Sequence, residues 1–335
     1  MSNNWQVYKI INFDSSKKWE GPLSDDGYSL FGIHDREGRQ CILAPKKDWV
    51  GCIRHGSNML EWSAGKKPVK NSKLHISAGI KNSSYVSQVS DDYYILSNTG
   101  LNQILGIDLK KSKADVLIDL NKHEVDSPAN CIVDREGNIW INNPGKNRLW
   151  QFNKEGELIR TFGNESEWQY SLECSYDCLV LSEIYDLKCG ADGNIYFLEG
   201  NRFCLRMIDL AGKKVKTVAG NGKNGYTGDG GHPLSATFGS KKSGKSDGPW
   251  AFCIDEENNI YVGDTQNHVV RMLDRKSNTL QTIAGGAEYK VKLRNSCTIR
   301  NPYELMLPSI CWMDYCQGML YISDLIGDLI VLVKS

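Results

Sequence analysis

A handful of polar side chains in this sequence have types and places that could do chemistry. His75, His123, His232 and His268 each stand among turn-forming residues, so their imidazoles are not committed to an apolar run. Neutral imidazole binds metals and titrates near neutral pH. Asn130 and Asp186 precede two turn glycines, Gly137 and Gly193, by the same interval (137−130 and 193−186, both 7). A polar pair so placed can take a cation or a substrate hydroxyl, or can simply be satisfied by internal hydrogen bonds. His123, Asp186 and Glu199 are the candidate acid/base groups, and Asn130, Asp186 and His123 the candidate metal ligands, with a divalent metal ion as the candidate cofactor. Cys174 and Cys178 have the spacing of half a zinc site, but no second pair accompanies them. The loop Gly222–Gly231 has the glycines of a phosphate cradle without its Gly-Lys-Ser/Thr end, and Asp229 alone does not make a calcium loop, so compact turn-making is its simpler reading.

The elements that would position these groups are short and repetitive. Apolar runs of four to seven residues, rich in Val, Ile, Tyr and Trp, alternate with turn residues along all 335 positions, which carry 32 glycines. The clearest unit reads Trp250-Ala-Phe-Cys-Ile-Asp255, a turn at 256–259, Ile260-Tyr-Val-Gly-Asp264, Thr265 to His268, Val269 to Asp274 and Leu280 to Gly285. Three or four such strands in sequence make an antiparallel meander. The pattern predicts a single all-β domain over 1–335 with blades at 28–65, 84–120, 127–163, 181–220, 248–285 and 307–334. The last blade lacks a fourth strand, and Trp5–Phe13 is a strand without a blade. Pairing the two completes the sixth blade and closes a six-bladed β-propeller without exposed edges. Turn positions Gly137, Gly193, Asn258 and Gly318 are 56, 65 and 60 apart (193−137, 258−193, 318−258), wider than a minimal blade of roughly 40 to 45 residues. The excess falls in connections at 164–181, 221–249 and 286–307, and long loops on a rigid scaffold are where function usually sits.

Composition narrows the classes. The formal net charge is +0, which argues against a strongly basic nucleic-acid binder. The first ten residues lack the charged head and apolar run of a secretory signal, and the longest purely apolar run, Leu329 to Val333, is far too short to cross a bilayer. The expected setting is cytoplasmic, with no membrane partner, and the eleven cysteines are expected as reduced thiols. Cys131, Cys253 and Cys311 fall at one point of three repeats, where they are expected as small buried hydrophobes.

With the repeats laid out, the chain resembles the NHL-repeat family of six-bladed β-propellers. The carrying residues are Ala219-Gly-Asn-Gly222, Gly225-Tyr-Thr-Gly-Asp-Gly-Gly231, Asn259-Ile-Tyr-Val-Gly-Asp-Thr-Gln-Asn-His268 and Thr282-Ile-Ala-Gly285, with Asn267-His268-Val269 standing for the name-giving tripeptide and weaker copies at Asn147-Arg148-Leu149 and Asn201-Arg202-Phe203. The resemblance implies a scaffold that binds a small molecule or a protein partner on the face where the long inter-blade loops meet the second-strand ends. On that face the candidate ligand-binding residues are Asn130, Asn142, Arg202, Trp250, Asp264 and His268. Asp264 and Asn267 are expected to hold their own hairpin shut by local hydrogen bonds. The alternative implied by related propellers is an enzyme of lyase or lactone hydrolase type, with its site at the mouth of the central axis and a metal there, as in an amidating lyase whose three histidines converge on zinc. Some NHL propellers bind RNA through basic loops. Here Lys66, Lys67, Lys70, Lys73, Lys241, Lys242, Lys245, Lys290, Lys292 and Arg294 share their face with Glu165, Glu167, Glu173, Asp177 and Glu183, which disfavours RNA as a partner.

Overall fold

A computed structural model of the chain describes residues 5–12, 29–34, 39–44, 48–54, 59–69, 71–123, 125–240, 248–286, 301–307, 309–324 and 328–334. The fold is all-β, a six-bladed β-propeller. Blade 1 is β2 (Ser29–His34), β3 (Arg39–Ala44), β4 (Trp49–Arg54) and β5 (Leu60–Gly65), to which β6 (His75–Ser77) adds a parallel fifth strand. Blade 2 is β7 (Tyr85–Ser90), β8 (Tyr93–Asn98), β9 (Gln103–Asp108) and β10 (Lys113–Asp119); blade 3 is β11 (Cys131–Val133), β12 (Ile139–Asn143), β13 (Arg148–Phe152) and β14 (Leu158–Phe162). In blade 4, β16 (Asp186–Cys189), β17 (Ile195–Glu199), β18 (Cys204–Asp209) and β19 (Lys214–Ala219) take β15 (Glu173–Ser175) on the outer edge. Blade 5 is β20 (Ala251–Ile254), β21 (Ile260–Asp264), β22 (Val269–Asp274) and β23 (Thr279–Gly285). Blade 6 runs β24 (Ile310–Cys316), β25 (Met319–Asp324) and β26 (Asp328–Lys334), and its outer place is filled by β1 (Trp5–Asn12).

That last pairing is the terminal closure expected from the sequence: Trp5 opposes Lys334 and Asn12 opposes Asp328 in an antiparallel register. Trp5 is 3 % exposed and meets Tyr261 edge-on at 5.6 Å, so the added strand also anchors in the core. Internal contacts divide the chain into two compact units, one of Met1–Phe13, Gly145–Arg148 and Phe162–Ser335, the other of Asp14–Pro144 and Leu149–Thr161.

Each tight first turn is built as its residues require. Gly137, Gly193, Asn258 and Gly318 all have positive φ (87°, 82°, 63° and 78°), the conformation glycine and asparagine tolerate. Asp134 and Asp255 accept from two backbone N–H groups of their turns and, through Oδ2, from Trp140 Nε1 (2.8 Å) and the Tyr261 hydroxyl (3.0 Å). In blade 4, Gly190 takes that aspartate's place and Asp192, two residues on, reaches the Tyr196 hydroxyl instead (2.8 Å). β17 and β21 are buried at every position, because their sheets are covered on both faces. The blade 4–5 core gathers Leu198, Leu205, Phe238, Phe252 and Val262, each at most 1 % exposed. Burying such side chains stabilises by about 1.5–3 kcal/mol apiece before entropy is counted.

Two expectations need correction here. The blades are not uniformly four-stranded, and the 164–181 and 221–240 connections also line the outer edges of blades 4 and 5. The first supplies β15; the second lays Gly230 and Gly231 along β23, with Gly230 N donating to Leu280 O and Leu280 N to Gly231 O at 2.8 and 3.0 Å. Both cover outer edges that would otherwise offer unpaired backbone. Cys311 is half-buried rather than buried, while Cys131 and Cys253 are buried as expected; burial pushes the Cys131 thiol up to about 12. The ten described cysteines are all free thiols. The turn at 35–38, the connection at 287–300 and lysines 70, 241, 242 and 245 lie outside the described residues.

Candidate functional site

One local design recurs at the end of the second strand in blades 2 to 5. The last residue is polar and buried, a 3-10 turn follows, and the next residue takes a left-handed conformation: Asn98 then Asn102 (φ 55°), Asn143 then Asn147 (φ 49°), Glu199 then Phe203 (φ 56°), Asp264 then His268 (φ 58°). In two cases the polar residue also bonds within its own turn, Asn98 with Gln103 and Asp264 with Asn267. It reaches back to the loop that enters the blade: Asn98 accepts from Lys81 N (2.7 Å) and donates to Gly79 O (2.8 Å), Asn143 donates to Asp126, Glu199 accepts from Ser182 N (2.6 Å) and Asp264 from Gly239 N (2.8 Å). Asp264 and Asn267 bond each other within their own turn, as expected, and in addition tie down residues 225–239.

Blades 4 and 5 add an arginine seven residues after the acid (206−199 and 271−264). In both, the ladder between third and fourth strands shifts register at that arginine, between Leu205 and Arg206 and between Val270 and Arg271. Such a bulge re-aims a side chain. In blade 5 the result is saturated. Arg271 donates from Nε and Nη2 to Asp229 Oδ1 (3.0 and 2.7 Å), from Nη1 to Thr237 O (2.7 Å) and from Nη2 to Thr227 O (2.8 Å). Asp229 Oδ2 accepts from Thr282 N (3.0 Å), which locks the glycine-rich loop to β23. Asn267 donates to Asp264 Oδ2 (2.8 Å) and to Gly225 O (3.0 Å). Burial holds the Asp264 carboxyl above the usual carboxylate range, at about 6, against the opposing pull of Asn267, Gly239 and Arg271. His268 meets Leu307 O through Nδ1 at 3.2 Å and has the strained backbone of a turn residue.

In blade 4 the same parts fit more loosely. Glu199 Oε1 accepts from Ser182 N and Oγ and from Trp168 Nε1 (3.2 Å), and Oε2 from Arg206 Nη1 (3.3 Å). Arg206 donates further to Val180 O, Ser171 Oγ and Cys174 Sγ at 3.3–3.4 Å, and its buried Nε finds no partner among the described residues. Cys174 therefore belongs to the loop clamp. Arg202, the last residue of the 3-10 turn, lies with its guanidinium carbon 4.7 Å from the centre of the Trp168 ring. It is exposed and donates to no acceptor among the described residues. Gly200 and Gly248 pack so closely beside it that a Cβ on Gly200 would sit 2.2 Å from Tyr185 and one on Gly248 would sit 1.6 Å from Gly200 O. Trp250, half-buried, follows two residues later.

The other nominated residues are spent on structure or lie apart. Asp186 Oδ2 accepts from Phe252 N (3.1 Å) and clips β16 to β20; Oδ1 accepts from Leu187 N (2.8 Å) and pairs with Lys188 Nζ (3.3 Å). Its burial raises the carboxyl pKa, and Lys188 opposes that. Lys188, overlooked in the sequence, lies 4.2 Å from the centre of the Trp312 ring; it stands two residues from Asp186 and so on the same strand face, a legible signal. Asn142 Oδ1 accepts from Asn130 N (2.7 Å), a bond within one hairpin. His123 sits edge-on to Phe152 at 5.0 Å, and His232 caps the turn at Pro233–Ser235 by accepting from Leu234 N. Among the described residues no three His, Cys, Asp or Glu side chains gather to hold a metal ion, and no helix is long and apolar enough to cross a membrane.

Comparisons with known proteins bear on the fold. No protein-family model matches the chain. A stretch of 96 residues, 29 % of this chain and 8 % of its counterpart, is 29 % identical to Protein SUPPRESSOR OF QUENCHING 1, chloroplastic, of Arabidopsis thaliana; the match thus spans a small part of that relative's length. Solved structures resemble nearly the whole chain. A structural genomics protein of unknown function from Bacteroides thetaiotaomicron has a TM-score of 0.67 at 14 % identity, covering 99 % of this chain and 76 % of its own. An auxiliary nutrient binding protein from the same organism gives 0.63 at 12 % identity, over 98 % and 76 %. A catalytically inactive virginiamycin B lyase from Staphylococcus aureus with quinupristin gives 0.56 at 13 % identity, over 97 % and 99 %. At such identities the likeness shows the propeller fold alone.

Proposed function

We propose that this chain is a single-domain propeller of the NHL-repeat type that works as a binding scaffold, taking a small molecule or a protein partner on the loop-bearing side of blade 4, near Arg202, Trp168 and Trp250. One observation carries the reading. Arg202 is held against an indole ring with no acceptor among the described residues, whereas Asp264, Glu199 and Asp186 have their oxygens occupied by backbone, arginine or lysine donors. Binding sites are concave, largely pre-formed and furnished with few polar groups left to serve a ligand. The lyase-type alternative would need His123, Asp186 and Glu199 at the reacting atoms; Asp186 and Glu199 are engaged in clips that hold strands and loops. The nutrient-binding neighbour is consistent with a scaffold role, although its fold alone is what the likeness carries.

A thermal-shift screen of metabolites and metal ions tests the proposal, since a ligand at 100 times its Kd stabilises by about 2.7 kcal/mol. Hydrogen exchange on any hit should slow at 166–172, 199–203 and 248–251. A hit that is turned over, or protection confined to residues 71–123, would contradict it.

A further inference from the structure

Arg206 and Arg271 are buried cations at one place in two blades, and they differ in what meets the guanidinium edge formed by Nε and Nη2. In blade 5 both nitrogens converge on a single carboxylate oxygen, Asp229 Oδ1, at 3.0 and 2.7 Å. In blade 4 no carboxylate meets that edge among the described residues. Nη2 touches Ser171 Oγ (3.3 Å) and Cys174 Sγ (3.4 Å) instead. Nε, part of a side chain only 2 % exposed, has no acceptor among the described residues. Glu199 lies on the other edge, with Oε2 on Nη1 at 3.3 Å. A buried donor without an acceptor is unfavourable, and a thiol sulfur is a weak acceptor for its neighbour. Cys174 is thus the loop's group where blade 5 has Asp229, and it lacks the oxygen.

We infer that Cys174 is an oxidation site: hydrogen peroxide converts it to the sulfenate, whose oxygen takes on Arg206 the place that Asp229 Oδ1 holds on Arg271. The thiol gives its proton to water, and the sulfur attacks one peroxide oxygen. An S–O bond forms as the O–O bond breaks, the sulfur loses two electrons and the peroxide gains them. The hydroxide that leaves takes the proton of the sulfenic acid and becomes water. The new oxygen is anionic, and a guanidinium edge holds such a group by charge-assisted hydrogen bonds. A partly exposed sulfur beside a cation is the setting in which cysteines react, and Cys174 is half-buried against Arg206. Cys204, on the same strand as Arg206, is the opposite case: it is buried, its Sγ lies 3.8 Å from Glu199 Oε2, and burial pushes its thiol well up. Because Cys174 is the middle residue of β15, its oxidised form fastens the outer strand of blade 4 as Asp229 fastens the glycine-rich loop of blade 5. The inference stands whether or not a ligand binds near Arg202.

The test exposes the full chain to hydrogen peroxide, alkylates the remaining thiols with iodoacetamide and counts them by peptide mass spectrometry, with dimedone identifying the sulfenic acid. Single variants keep neighbouring thiols from condensing: Cys174 is followed in Cys178→Ser, and Cys178 in Cys174→Ser. Cys178 is exposed, so accessibility alone has it react first. The inference predicts the reverse, with Cys174 lost roughly threefold faster or more. Arg206→Met should abolish that advantage, and Arg206→Lys should keep part of it. A second comparison does not depend on the arginine variants folding. Cys174→Asp supplies the carboxylate that blade 5 has, so it should unfold at higher urea than Cys174→Ser and slow hydrogen exchange at 171–175. Cys178 reacting as fast as Cys174 or faster, an advantage that survives in a folded Arg206→Met, or a Cys174→Asp chain no more stable than Cys174→Ser would overturn the inference.

Discussion

Blades 4 and 5 are assembled from the same parts and end in different states. Each has a buried acid at its second-strand end, an arginine seven residues on at a bulge, and an entering loop that doubles back to cover the outer edge. In blade 5 the loop contributes its own carboxylate, Asp229, and each guanidinium nitrogen of Arg271 finds an oxygen at 2.7–3.0 Å. In blade 4 the loop contributes Ser171, Cys174 and Val180, the contacts lengthen to 3.3–3.4 Å, and Arg206 Nε is left over. The 3-10 turns diverge in the same sense: Asn267 is bonded inward, Arg202 outward onto Trp168. A clamp that is chemically complete serves stability, and one that leaves an oriented cation over is where the proposed ligand would sit.

The sharpest way to break this contrast is to remove its buried cations. Arg271→Met should cost on the order of 3–5 kcal/mol, because it strands Asp229 and two carbonyls, whereas Arg206→Met should cost about 1–3 kcal/mol since Glu199 keeps Ser182 and Trp168. Urea unfolding followed by tryptophan fluorescence compares the two directly; an equal or reversed order would dissolve the distinction. The next effect is pH dependence. Asp264 keeps its proton to about pH 6 in the fold but loses it near 3.8 when unfolded, so the folded state binds the extra proton between those values. Its contribution is full below about pH 4 and is lost as pH rises through 6, an effect of up to about 3 kcal/mol. In Asp264→Asn that slope should vanish, so the gap between wild type and variant in unfolding midpoint should narrow from pH 4.5 to 7.5; a constant gap would show that Asp264 does not titrate there. Replacing Asn267 by Ala should cost about 1–2 kcal/mol through lost bonds to Asp264 and Gly225. The smallest stability change is expected for Arg202→Met, under about 1 kcal/mol.

The blades were legible because each strand announces itself by an apolar run and each first turn by a residue that accepts positive φ. The closure was legible because an orphan strand and an incomplete sheet have one economical pairing. The edge strands β6 and β15 were not, since three residues such as His75–Ser77 carry no periodicity and gain their partners only in three dimensions. The clamps were invisible for a related reason: Asp229 and Arg271 are 42 positions apart (271−229), and nothing in spacing links them. Arg202 was nominated by its place in the repeat alone. Asn267 and Lys146 hold the same place, and what sets Arg202 apart is Trp168, 34 residues earlier (202−168) on a separate loop.

The central claim is that Arg202 serves a ligand rather than the fold, and one set of melts decides it: wild type and Arg202→Met, each alone and with the ligands that the metabolite screen returns. The account predicts coincident transitions without ligand, a rise for wild type with at least one ligand, and a smaller rise or none for the variant. A variant that melts early on its own, or that gains as much as wild type from every ligand, would contradict it.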